Sequence, residues 1–168
     1  MKIIDAHIHY SNIESFHETA QTMAYIDYSA AGLQEEFKRA GVIAGVGMGV
    51  TETIPGAFPD LAAANPMMLD LTEKLPPNLY TCVGINPLTL REGNQLEVLE
   101  QTLQQDHVVG IKLYAGYYHY HVGDPIYDPI YELASTYNLP IVIHGGLTYS
   151  DRGLLKYSHP LSMEETFL

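Results

Sequence analysis

Apolar residues cluster in five short runs, at 2–9, 42–50, 79–86, 108–115 and 140–145. Each is rich in Val, Ile or Leu and bounded by Gly, Pro or Asn. Near-continuous apolar runs of this length predict strands buried on both faces. Between them the apolar spacing lengthens. In 29–40, Leu33 and Phe37 stand four apart, and Gly41 follows as a stop. Asn65-Pro66 predicts a helix opening, with Asn as N-cap and Pro at the first helical position. Met68, Leu71 and Leu75 continue at helical spacing until Pro76-Pro77 ends the run. Leu96, Leu99 and Leu103 mark a third helix. Ile130, Leu133, Ala134 and Tyr137 mark a fourth, stopped by Asn138 and Pro140.

The predicted order is β-α-β-α-β-α-β-α-β, which calls for a parallel sheet with helical crossovers. No G-x-G-x-x-G follows a strand, so a dinucleotide-binding sheet lacks its fingerprint. The stretch "GVIAGVGMGV" is glycine-rich, but its glycines lie inside an apolar run and read as close packing; the Lys and Ser/Thr of a phosphate loop are missing. The remaining choice is a (β/α) barrel. A full barrel takes about 250 residues, and five strands are a partial one. Ser162 and Glu165 form a capping box that announces one more helix. The sequence stops at Leu168, so the fifth unit reads as cut short. The expectation is a single α/β domain over 1–168, a partial TIM barrel.

Composition narrows the partners. The 168 residues carry a net charge of −12, from 8 Lys+Arg against 20 Asp+Glu. So acidic a surface repels phosphate backbones and anionic membranes, and nucleic acid is not an expected partner. Cys82 is the only cysteine, which fits a reducing compartment. Strand one begins almost at Met1, with no signal-peptide pattern, and no apolar run nears the roughly 20 residues of a membrane span. A cytoplasmic protein is expected.

The candidate chemistry sits at strand ends. In "IIDAHIHY", Asp5, His7 and His9 share one face of a strand, and Ile4, Ala6 and Ile8 share the other. His7 and His9 are then about 6.6 Å apart along the backbone, close enough for two imidazoles to hold one metal ion. Alternatively, the pair is a coincidence containing one core histidine. "LPIVIHGG" ends strand five with His144 in the matching position. "VGIKLYAG" sets Lys112 within an apolar strand, with Gly110 and Tyr114 on its face. A buried lysine is costly unless paired. It can bind a substrate carboxylate, act as a base, or bridge two metals once carbamylated; or its ammonium merely snorkels to the barrel mouth. After strand four, "GYYHYHVGDPIYDP" holds a second H-x-H, His119 and His121, in a loop that fixes little geometry. A lid or a subunit contact is the favoured reading there. Asp124 and Asp128 precede prolines and shape turns. Asn86 either lines the mouth or ends strand three. His17, in a stretch given no element, and His107 and His159 receive no role.

These motifs resemble the amidohydrolase superfamily, and most closely its amidohydrolase-related branch of TIM-barrel metal-dependent hydrolases. D-A-H-x-H is the most specific element; "GIKLY" and "LPIVIHGG" add to it. The resemblance implies that His7, His9 and His144 are metal ligands, with Zn expected and Mn or Fe as alternatives. It sets Lys112 at the strand-four position that is carbamylated in binuclear relatives. The superfamily also supplies a strand-six histidine and a strand-eight aspartate, and this sequence carries neither strand. The implied function is a hydrolase that turns metal-activated water on an ester, lactone or amide. A decarboxylase is the variant within that class. The other reading is a catalytically silent half-barrel remnant, a dimeric scaffold or ligand-binding protein. Open barrel edges predict a homodimer.

Overall fold

The computed structural model describes residues 1–52 and 65–166. The chain forms two compact units, Met1–Val83 and Gly84–Leu168.

The first unit opens with β1 (Ile3–Ile8), then α1 (Glu14–Met23), α2 (Ala30–Ala40) and β2 (Val42–Met48), and runs into β3 (Leu79–Gly84). β1 pairs in parallel with β2, and β2 with β3. Helix α2 forms where its spacing predicts. The Ser29 hydroxyl accepts from the Gly32 N–H, and Gly41 closes the helix in the left-handed region at φ 76°. Its Phe37 packs over β2 at Gly45, where a Cβ would lie 2.4 Å from the ring. Gly45 is therefore a packing glycine, as the glycine-rich run suggested. Helix α1 is not foreseen by the pattern. It buries Phe16, Thr19 and Ala20 and has no side-chain cap, which left little local signal.

The helix expected from Asn65 to Leu75 does not form. Residues 65–70 carry no helix, and Met67 makes an isolated bridge with Val50. The reason is tertiary. Ser11 Oγ donates to the Met68 carbonyl at 2.7 Å, and the Asn12 amide pairs with both backbone groups of Asp70, at 2.7 and 3.1 Å. Those backbone groups are thereby spoken for, and Leu69 and Leu75 enter a core cluster with Tyr10 and Leu79. The N-cap signal at Asn65-Pro66 loses to that packing.

The second unit holds α3 (Gln95–Leu103), β4 (Val108–Leu113), α4 (Ala115–Tyr118), α5 (Asp128–Thr136), β5 (Ile141–Ile143) and α6 (Leu155–Ser158). Short 3₁₀ turns cover Pro125–Tyr127 and Pro160–Thr166. β4 and β5 pair in parallel. Ile111 and Leu113 are fully buried, as are Ile130 of α5 and Tyr127. Leu99 and Leu103 supply the buried stripe of α3. The capping box at Ser162 gives a 3₁₀ turn instead of a new helix: the turn begins at Pro160, and the Ser162 hydroxyl donates back to the His159 carbonyl at 2.6 Å.

Strand order follows the sequence, β1-β2-β3-β4-β5. The five strands make the expected partial (β/α) barrel, with α1 and α2 between β1 and β2, α3 between β3 and β4, and α4 and α5 between β4 and β5. Among the described residues no helix is long and apolar enough to cross a membrane.

Candidate functional site

β1 delivers its two histidines together. The rings of His7 and His9 lie 5.3 Å apart, edge to face at 63°, and both residues are exposed. Asp5 shares their face, and its Oδ1 accepts from the His7 N–H at 3.1 Å. The carboxylate thus braces the backbone beneath the pair. Beyond them Tyr28 donates its hydroxyl to the His9 carbonyl at 3.0 Å, and Ser11 and Asn12 fasten the following loop to 68–70. A cavity of about 480 Å³ opens beside His9 and reaches α2.

Two neutral imidazoles on one strand face are the donor chemistry that a divalent transition ion takes. The pair fits one side of such a site. Among the described residues, no group of three His, Cys, Asp or Glu side chains stands ready to complete it.

The second unit gathers another set. Lys112 on β4 is 1% exposed, and its Nζ lies 5.0 Å from the centre of the Tyr114 ring. The other neighbours of Tyr114 are His144, stacked at 4.8 Å and 21°, and Tyr117, stacked at 5.5 Å and 25°. Burial, with Tyr117 nearby, raises the Tyr114 phenol, which stays neutral at physiological pH. The His144 backbone N–H donates to the Leu113 carbonyl at 2.8 Å. Its Nε2 lies 3.1 Å from the Leu147 carbonyl, which can only accept. The bond therefore assigns a proton to Nε2. Sequence reasoning placed Tyr114 on the face of Lys112 but missed its contact with His144, because 30 residues separate them.

The loop histidines serve structure. His119 adopts φ 60°, stacks on Tyr157 at 5.6 Å, and its Nε2 meets the Arg152 carbonyl at 2.9 Å. His121 leans on the same Tyr157 ring at 4.8 Å. The second H-x-H thus clasps α6. Asn86 Oδ1 accepts from the Leu88 N–H at 3.0 Å, so its side chain shapes the turn after β3. Asp124 Oδ2 accepts from the His121 N–H, and Asp128 opens α5.

The family described as TatD related DNase matches residues 4–153 of this chain. Among solved structures, the chain is similar to an uncharacterized TIM-barrel protein from Bordetella bronchiseptica. The two share 15% identity at a TM-score of 0.56, over 99% of this chain and 63% of that one. The chain thus spans under two thirds of that protein, and at this identity the likeness carries the fold. No curated protein matches.

Proposed function

From the premise that the chain belongs to the TatD related DNase family, we propose a metal-dependent hydrolase of TIM-barrel type. The family match and the barrel neighbour agree with the resemblance to TIM-barrel metal-dependent hydrolases drawn from the sequence. The observation that carries the reading is the His7/His9 pair at the exit of β1.

In this reading His7 and His9 supply two ligands to one divalent ion, Zn²⁺ by ligand type. The ion supplies Lewis acidity and lowers the pKa of a bound water. The chain's own groups do the rest. Asp5 fixes the backbone on which the imidazoles ride. Tyr114 holds His144 by its face and gives the Lys112 ammonium an aromatic wall. Lys112 steers a substrate carboxylate. The substrates proposed are esters, lactones or amides. The family's description names a DNase, and a phosphodiester is the competing substrate. The net charge of −12 disfavours it, because an acidic surface repels the approaching backbone.

The test is metal content per chain, purified without chelator or metal-affinity tag, beside a His7→Ala/His9→Ala variant. About one equivalent, lost in the variant, is expected. No metal in either protein, even after soaking, overturns the reading and leaves the non-catalytic scaffold in its place.

The chain is also proposed to pair with a second copy. β1 has β2 as its partner, and on its outer face Ile4 is 64% exposed, with Ile43 of β2 at 47%. A dimer mass by light scattering, reduced to a monomer by Ile4→Lys, is expected. A monomer across a wide concentration range removes this proposal.

A further inference from the structure

The cavity beside His9 has a composition that the metal reading does not use. Its apolar wall is Ile8, Leu33 and two tyrosines, Tyr10 and Tyr28, whose rings tilt together at 5.2 Å. Its rim is acidic: Asp27, Glu35 and Glu36 are all exposed there. Among the described residues no lysine or arginine lines it.

Two of the three carboxylates also have local duties. Asp27 Oδ1 accepts from the Ser29 N–H at 3.0 Å, at the start of α2. Glu36 pairs with Arg39 one turn on. Neither duty cancels the rim's charge. The Asp27 bond uses a neutral donor and leaves the carboxylate negative. Arg39 offsets one charge of three and does not line the cavity. Glu35 needs no such accounting. The Ser29 hydroxyl also occupies the Gly32 N–H, so the helix start offers one donor fewer to an anion.

We infer that this cavity binds an organic cation, an ammonium group carried on an aryl or alkyl body. The body lies against Ile8, Leu33 and the tyrosine faces, and the charge meets the rim. A volume of about 480 Å³ suits a molecule of that size. Aromatic faces and carboxylates both attract an ammonium, and the attraction is greater where water is excluded. The same surface repels phosphates and carboxylates.

His9, a ligand in the metal reading, also lines this cavity, so the test contains no metal and is scored separately from metal uptake. Phenethylammonium and its neutral counterpart 2-phenylethanol are titrated into the full chain at low salt, by calorimetry. The ammonium is expected to bind about tenfold tighter than the alcohol, and to weaken as salt is added. Asp27→Asn with Glu35→Gln is expected to remove that preference and leave alcohol binding unchanged. Asn keeps an oxygen for the Ser29 N–H, so the turn survives; if circular dichroism shows the double variant unfolded, Glu35→Gln alone on the exposed face of α2 serves. Equal affinity for ammonium and alcohol overturns the inference. So does a preference that a folded variant leaves intact, since the cation then binds elsewhere. Failure of metal uptake is a separate result and leaves this one standing.

Discussion

Lys112 carries an ammonium into the core of the second unit, between the fully buried Ile111 and Leu113. Met has a stem of similar length without the charge. Removing one partner of a buried charged contact is strongly destabilising, by about 3–5 kcal/mol. Lys112→Met is therefore expected to lose about 3 kcal/mol in a urea melt. A variant within about 1 kcal/mol of the parent would show that the fold does not depend on the charge of Lys112. Its neighbour Tyr114 separates ring from hydroxyl. Tyr114→Phe keeps the stack on His144 and should hold stability. Tyr114→Ala should cost about 3 kcal/mol, since the His144 ring loses the face stacked on it.

At the scale of elements, two contacts around α2 are each open to a single substitution. Ser29→Ala removes the acceptor for the Gly32 N–H and is expected to cost about 1 kcal/mol in a denaturant melt. Gly45→Ala sets a methyl 2.4 Å from the Phe37 ring, and forcing the helix off the sheet should cost about 1–3 kcal/mol. If Gly45→Ala is neutral, Phe37 has room to move and α2 is loosely seated. These two elements were legible because their signals are local. Ser29 and Gly41 bracket a helix, and the apolar run of β2 stands directly after it. The stretch from Asn65 to Leu75 was misread for the opposite reason. Its cap and spacing are helical, but Ser11 and Asn12, more than fifty residues upstream, claim its backbone. No window of neighbouring residues contains that fact.

Over the whole molecule, alternation alone pointed to a parallel sheet with crossovers, and the order of five strands follows it. The His7/His9 pair was equally legible, because side-chain parity on one strand is a property of neighbours. The stack of Tyr114 on His144 joins two strands, and sequence spacing says nothing of it. That stack belongs to a wider feature of the second unit, which buries much of its tyrosine content. Burial raises the phenols of Tyr114 and Tyr127, and raises Tyr131 to about 12. An unfolded chain ionises its tyrosines near pH 10. Between pH 10 and 12 the unfolded state therefore sheds protons that the folded state keeps. Stability falls with pH wherever the unfolded state binds fewer protons. The stabilisation from these neutral phenols is complete below about pH 10 and is lost as pH climbs through the folded values. The urea midpoint is expected to be insensitive to these groups up to about pH 9 and to drop steeply above 10. Phenolate absorbance for the buried tyrosines should rise with unfolding and not ahead of it. If they titrate as free phenols near pH 10 while the far-ultraviolet dichroism is unchanged, the aromatic interior that holds His144 is open to water. The Tyr114 stack would then no longer explain how that ring is positioned.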